Sequence, residues 1–576
     1  MDAGSRSSVA AARQNRRVWI GLVLDGEGGG LLRAFSEEGA PAGPLERVAD
    51  AAAAVQERER VEAPRWIWAS TAETYPVLLR AGVRVARCHD LALTEGILLA
   101  YDGRWGEPRS LAAAWARLHG LPVPDERQQP QRSQLALFEP ERPGLPEGEE
   151  LLAALAEVQA QQQRRLAAAE HPERLRLLVA AESAGALAAV EMAEAGLPWR
   201  PDLHDQLLTE LLGPRPTPGA LPRKLRELAT RIGDAFGEPV NPDSPGQLVR
   251  AFAAAGIHLP STRMHVLREV DHPAVPLLFE YKELSRLHSA YGWSWLDAWV
   301  RDGRMRPEYV PGGVVSGRWA TRGGGALQIP RAVRQAVVAD PGWTLVVADA
   351  SQLEPRVLAA LSGDRGLERA ARGRDLYGDL AAAAFGGDRP RAKVAMLAAM
   401  YGGTSGETGQ LLGVLRRRFP EAVGYVEAAA RTGEQGGLVR SVLGRTCPPP
   451  SAGWRERTAA LGHEGEESDE VRSARRSARD RGRFTRNFVV QASAADWALT
   501  ALASLRRRLA ADRPGAPELV FFQHDEVVVH CRQEDAGAVV AAVAGAAEEA
   551  TRLVFGDTTV RFPLDGTVVT RYADAK

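Results

Sequence analysis

Residues 521–530, FFQHDEVVVH, constrain the fold more than any other stretch of the chain. Phe521 and Phe522 lead in, Val527, Val528 and Val529 lead out, and Gln523, His524, Asp525 and Glu526 stand between them. Apolar arms of this kind bury in a sheet, where a carboxylate is costly unless something pairs with it. A hairpin with the acidic residues at its tip lets both arms bury while the charges stay at the sheet's end. The position of Asp525 and Glu526 then raises the question of which charge they face.

The chain has 576 residues, too many for one core, so two to four domains are expected. No run of 18 apolar residues appears, so no membrane span is expected. The N-terminus carries too many charges and too short an apolar run for a secretory signal. Cys88, Cys447 and Cys531 lack metal-ligand spacing and read as free thiols of a reducing cytoplasm. The net charge of −1 hides basic clusters at 416–419 (RRRF), 473–486 and 506–508 (RRR). Solvated faces are the ordinary reading of such clusters; flanking acidic motifs, they also suit a polyanion partner.

The expected organisation is α/β and multidomain. Residues 1–118 form a small α/β unit, with strands at 18–25 and 65–70 and its last helix at 150–170. Residues 119–149, rich in Pro, Gln and charge, have the composition of a linker. The chain then turns helical to about 306, and a strand-bearing region follows from 307. Within the linker, QLALF (Gln134, Leu135, Ala136, Leu137, Phe138) places apolar side chains where there is no core to join. It either docks back on its own protein or enters a partner's groove. It resembles the pentapeptide with which bacterial proteins bind the sliding clamp.

Two further motifs carry chemistry. In WTLVVADASQLEPR (343–356), a short apolar strand ends at Asp349, a common place to hold a cation. The spacing Ser351 to Glu354 fits a capping box at the start of the next helix. In GGDRPRAKVAMLAAMYGG (386–403), Pro390 favours a helix start and the Gly pair a stop. Arg389, Lys393, Leu397 and Tyr401, spaced by four, share one broad helix face. Two cations, an apolar residue and an aromatic in that order suit phosphates and then a flat base, although an amphipathic surface helix gives the same spacing. Two Asp residues at strand ends suit a pair of divalent ions for in-line phosphoryl transfer. All-oxygen ligands favour Mg2+.

These three motifs, in this order, resemble motifs A, B and C of family A DNA polymerases, the bacterial DNA polymerase I type. The resemblance runs from about 175 to the C-terminus. It includes thumb-like segments at 241–257 and 272–291, a primer–template grip at 316–343 and a helix at 486–497. It implies a right hand: helical connection and thumb at 150–306, palm at 307–362 and 491–576 around an antiparallel sheet, and helical fingers at 363–490. Asp349, Asp525 and the Ala350 carbonyl are expected to hold two Mg2+ ions, Mn2+ substituting, with Glu526 beside the catalytic site. Gln352, Glu354, Arg389, Lys393, Leu397 and Tyr401 are expected around the incoming nucleotide, Glu354 with Tyr401 excluding the ribose 2′-hydroxyl. Arg318 and Gln328 are expected on the minor-groove side of the primer–template. Asn487, Gln491 and Arg445 are expected on its backbone, and His524 near the primer end.

Several positions depart from the family pattern. Ala350 replaces an aromatic, Pro355 is expected to interrupt the early helix, and Leu397 stands where Phe or Tyr is usual. Phe522 stands in place of a minor-groove Gln. The resemblance also makes residues 1–170 a ribonuclease H-like 3′–5′ exonuclease-type domain, which needs four acidic metal ligands. Asp25 and Glu27 suit the first pair, but Thr74 stands at the next Asp position, and Leu151 and Leu155 where Tyr and Asp are required. A retained fold without proofreading is therefore expected, with no 5′-nuclease domain ahead of it. The implied partners are primer–template DNA, deoxynucleoside triphosphates and the sliding clamp, for a cytoplasmic, nucleoid-associated monomer active in repair or gap filling. The rival expectation is a non-catalytic primer–template binding module tethered to the clamp.

Overall fold

The structure, a computed structural model, describes residues 19–126, 145–322, 329–403, 406–459, 469–510 and 515–575. Gln328 and the segment Gln134–Phe138 lie outside the described residues, as does the 460–468 part of the arginine-rich region.

The N-terminal unit is a five-stranded mixed sheet of β1 (Trp19–Leu24), β2 (Gly30–Phe35), β3 (Glu46–Val48), β4 (Arg65–Trp68) and β5 (Arg87–Asp90), in the order β3-β2-β1-β4-β5. β1 runs antiparallel to β2 and parallel to β4. Apolar residues cover both faces: Ile20, Trp66 and Trp68 pack on one side, Trp19 and Ile67 on the other. The second face is closed by helix Gly148–Ala167, which returns after the linker and buries Leu152 and Leu155 there. Helix α1 (Pro172–Ala195) then covers β5.

The sequence favours a helix across 44–59, but Glu46–Val48 forms the edge strand and the helix is Ala51–Val61, with Asp50 accepting from the Ala53 N–H. Pairing with β2 overrides local helix propensity at those three residues.

The second sheet has four antiparallel strands, β6 (Trp343–Ala350), β7 (Glu518–Gln523), β8 (Glu526–Arg532) and β9 (Leu564–Val569), in the order β7-β8-β6-β9. β6 is central and both of its faces bury, which explains its nearly continuous apolar run. Leu345 and Val347 face one core, with Phe521 and Val528; Val346 and Ala348 face the other, with Val527 and Val529. The long helix α4 (Asp469–Leu509) and helix α5 (Ala536–Phe555) contribute to the second core. An 18-residue window of α4 is apolar enough to cross a membrane, yet 89% of it is buried inside the protein, so it is a core helix. Helices α2 (Leu353–Ser362) and α3 (Arg389–Tyr401) stand beyond the end of β6.

The capping box does not form. Helix α2 begins after Gln352, which is left-handed at φ 59° and makes no side-chain cap bond. Pro355 does not interrupt the helix: it lies in the first turn, where its missing N–H has no intrahelical acceptor.

Many arginines face protein rather than solvent. Arg506 pairs with Glu191 of α1 at 2.7 Å and donates to the Val85 and Ala86 carbonyls, tying the N-terminal unit to α4. Arg507 and Arg508 pair with Glu549. Two carboxylates thus serve the three arginines of the 506–508 cluster, and Arg507 stays 67% exposed. Arg445 is 9% exposed and joins Glu182 of α1 at 2.8 Å to Asp496 of α4 at 3.0 Å. Arg445→Ala leaves two buried carboxylates without their cation. The variant is expected to lose about 3–5 kcal/mol of stability, measured by chemical denaturation.

Candidate active site

The hairpin expected from FFQHDEVVVH is present. Gln523 pairs with Glu526, so His524 and Asp525 form a two-residue turn between β7 and β8. His524 adopts a left-handed φ of 56°, unusual for a non-glycine residue and suited to so tight a turn. β8 pairs with β6 along its whole length, ending in Asp349 opposite Glu526, and the Ala350 N–H donates to the Asp525 carbonyl at 2.9 Å. Two residues far apart in sequence thus become neighbours through strand register. On the other side of β6, Asp565 of β9 lies directly opposite Asp349 and pairs with Arg374.

Burial pushes the Asp525 carboxyl up to about 7, with the Asp349 charge as the next cause and Arg318 pulling the other way. Glu526 differs: it is 5% exposed and lies 3.8 Å from Arg334, which also covers the Tyr572 ring at 4.3 Å. The charge facing Glu526 is thus a protein cation, whereas Asp525 has another carboxylate for its neighbour.

A cleft opens beside Asp525, lined by Arg318, Gln352, Glu354, Tyr377, Leu397, Met400 and His524. α3 presents the expected strip: Arg389, Lys393 and Tyr401 are exposed and Leu397 is half-buried, while Ala392, Ala395, Met396 and Ala399 face the core. Asp388 caps the helix and Gly402, at φ 81°, ends it. Glu354 lies on the first turn of α2 and accepts from the Tyr401 hydroxyl at 2.7 Å and from Arg318 at 2.6 Å. The family resemblance places Glu354 with Tyr401; the bond to Arg318 adds a third member. Burial and the adjacent Glu354 raise the Tyr401 hydroxyl well above its ordinary range. Asn487, Gln491, Ala494 and Ala495 share one face of α4 by helical spacing, and the two alanines line the cleft.

One expected role is not supported by the structure. Arg445 does not reach the cleft, because Glu182 and Asp496 take its guanidinium. It does support the loop before Arg318: a Cβ on Gly317 would lie 2.3 Å from the Arg445 side chain, and Gly317 is left-handed at φ 85°. Phe522 is core, edge-on to Trp319 at 4.9 Å, with Tyr309 next in the cluster.

Two residues escaped sequence reasoning. Arg356 is fully buried and donates its five N–H groups to five carbonyls, those of Ser351, Ala371, Gly373, Arg374 and Arg561. Asp375 accepts from Arg389 through Nε at 2.7 Å and Nη2 at 3.1 Å, and from Gln352 at 2.8 Å. The bond to Arg389 is the main cause holding its carboxyl down to about 2. No spacing rule marks either residue, since their partners are backbone or lie on other elements.

In the N-terminal unit Asp25 and Glu27 are exposed in the turn between β1 and β2, not on a strand. Asp25 accepts from the Glu27 and Gly29 N–H groups and so stabilises that turn. Thr74 lies on a helix, and Leu155 is buried against the sheet. Among the described residues, no group of three or more His, Cys, Asp or Glu side chains is placed to hold a metal ion, in this unit or elsewhere.

With chelator present, the high Asp525 pKa gives a stability signature. The unfolded carboxyl titrates near pH 4 and the folded one at about 7, so stability present below about pH 4 is lost as pH rises to 7. Asp525→Asn removes this loss. Its melting temperature is expected to exceed that of the parent chain at pH 8, with the gap closing towards pH 4.

The model of DNA polymerase family A matches residues 218–569. The thermostable DNA polymerase I of Thermus filiformis is 31% identical over 303 residues, covering 47% of this chain and 33% of the relative. The DNA polymerase I of Chloroflexus aurantiacus is 28% identical over 362 residues, covering 54% and 36%. The chain thus spans about a third of the length of the relatives it matches. A solved structure, the POL domain of Pol1 from M. smegmatis in complex with DNA primer-template and dNTP, superposes with a TM-score of 0.69 at 18% identity. It covers 100% of this chain and 99% of that one, a likeness of fold over the whole length. With more than half of its residues matched by the family model, the chain belongs to DNA polymerase family A.

Proposed function

We propose that the chain is a template-directed DNA polymerase that adds deoxynucleotides to a primer 3′-hydroxyl. The observation that carries this reading is the strand register that sets Asp349 beside the Asp525 turn at the mouth of a cleft lined by α2 and α3. Membership of the family supports it.

The residues fit divalent metal. Asp349 and Asp525 offer oxygen donors, and two crowded carboxylates in a buried place are stabilised by a cation of high charge. These two side chains, with the Ala350 carbonyl, are the proposed ligands for two Mg2+ ions, with Mn2+ able to substitute. When bound, the ions supply acidification of the primer hydroxyl and charge stabilisation of the leaving pyrophosphate.

The chain's own groups do the rest. Arg389 and Lys393, one turn apart on the exposed face of α3, bind the triphosphate. Leu397 and Tyr377 form an apolar wall of the nucleotide pocket, and Gln352 lies at its edge. Glu354, fixed at both oxygens by Arg318 and Tyr401, stands where a ribose 2′-hydroxyl would enter. Arg318 and His524, which line the cleft, meet the primer–template, as do Asn487 and Gln491 on the α4 face shared with Ala494 and Ala495. Glu526 supports the hairpin through Arg334 rather than holding metal.

For the N-terminal unit we propose a ribonuclease H-like fold without proofreading, because Asp25 serves a turn and Leu155 the core. The physiological setting we propose is cytoplasmic repair or gap filling by a monomer, with the sliding clamp as a further partner through Gln134, Leu135, Leu137 and Phe138.

Primer extension tests the central claim. With Mg2+ and a primed template the chain is expected to extend, while Asp349→Ala and Asp525→Ala each lose at least about 1000-fold; unchanged extension by either variant refutes the assignment. Glu354→Ala is expected to raise ribonucleotide incorporation relative to deoxynucleotide, read as the ratio of kcat/KM values. A mismatched 3′ end in the same reaction is expected to persist undegraded, and clamp capture is expected to disappear in the double variant Leu137→Ala, Phe138→Ala.

A further inference from the structure

Asp375 lies between the two elements that carry the nucleotide contacts. It immediately precedes helix Leu376–Ala384, on a loop whose Gly373 and Arg374 carbonyls are gripped by the buried Arg356 guanidinium at 3.0 and 2.8 Å. Arg356 belongs to α2, the helix that follows Asp349. The Asp375 carboxylate is therefore anchored to the Asp349 segment at two points, through Arg356 and through the Gln352 amide at 2.8 Å. From there it reaches across to Arg389 at the start of α3, taking Nε at 2.7 Å and Nη2 at 3.1 Å, while the Tyr377 ring lies 5.7 Å from the guanidinium carbon.

A guanidinium has five N–H donors in a rigid planar fork. Two bonds to Asp375 leave Nη1 and one Nη2 proton without an acceptor among the described residues, and the side chain is 51% exposed. A long Arg side chain held in this way loses rotamer freedom before ligand arrives, and less is lost on binding. The carboxylate also keeps its charge at neutral pH, because Arg389 holds its pKa at about 2.

We propose that Asp375 is a positioning residue for the incoming triphosphate, holding one edge of the Arg389 guanidinium so that the opposite edge is preset to meet phosphate oxygens. The residue touches neither substrate nor reacting atoms; it acts through Arg389. This rests on the polymerase reading above, in which Arg389 binds the triphosphate. It adds an acidic residue to phosphate recognition, which runs against the expectation that a carboxylate near a triphosphate only repels it.

The test is steady-state incorporation of a single deoxynucleotide on a primed template by the parent chain and by D375A, D375N, R389A and the double variant D375A/R389A. Primer–template Kd and melting temperature are measured for each to report folding. D375A is expected to raise the nucleotide KM about tenfold, the equivalent of one well-placed charged hydrogen bond, with kcat and primer–template Kd changed less than about threefold. D375N, which keeps an acceptor but not the charge, is expected to fall between. The double variant is expected to be no worse than R389A, since the two residues act as one unit. An unchanged KM in D375A, or penalties that multiply in the double variant, overturns the assignment. So does a loss confined to kcat and melting temperature, which marks a merely structural role. Failure of the parent chain to extend any primer would instead bring down the polymerase reading, a result distinguishable from all of these.

Discussion

Two carboxylates brought together at the end of one antiparallel strand pair are the constraint around which the rest is organised. Asp349 and Asp525 repel, and burial together with that repulsion raises the pKa of Asp525. A fold holds such a pair only if the backbone carrying it is over-determined. Here β6 is flanked on both sides, both its faces are buried, and the turn at His524 is closed by the bond from Ala350 to the Asp525 carbonyl. The stability that the apolar arms supply is spent in part on holding like charges close, which is the arrangement a cation can relieve.

Arginine gives the protein its second organising device, and it is used in two ways. Arg445 and Arg506 are buried ties, each neutralised by carboxylates on α1 or α4, and they lock the N-terminal unit, α1 and the long helix into one body. Arg318, 25% exposed, meets Glu354 in the cleft, and Arg389, 51% exposed, meets Asp375. Lys393 is simply exposed. Sequence alone cannot separate these uses, because the partner that decides the matter is always on a distant element.

The parts of the fold legible in the sequence were those set by periodicity. The hairpin at 521–530 was readable because two β-rich arms flank a polar tip, and the α3 strip because four residues recur at helical spacing. The Glu354–Tyr401 pairing was reachable only through the family resemblance, since nothing local links residues on two helices. The missed features share a physical cause. The failed capping box at Ser351 looked sound because the spacing was right, but a left-handed Gln352 starts the helix one residue later and releases Glu354 for Arg318. Arg445 looked like a backbone contact and is a core cation. In each case burial by remote segments outweighed local pattern.

Arg356 differs from the other buried arginines in that its partners are all carbonyl oxygens. Carbonyls saturate its hydrogen bonds but carry only partial charge, so its full positive charge is not cancelled on the spot. The carboxylates that favour its charge act through space: Asp375 and Asp379, on the loop and helix that it holds. A side chain that never reaches the solvent thus holds the segment carrying Asp375 by charge as well as by hydrogen bonds. It does so without the entropy cost of a mobile lysine and without exposing a hydrogen bond for water to compete over.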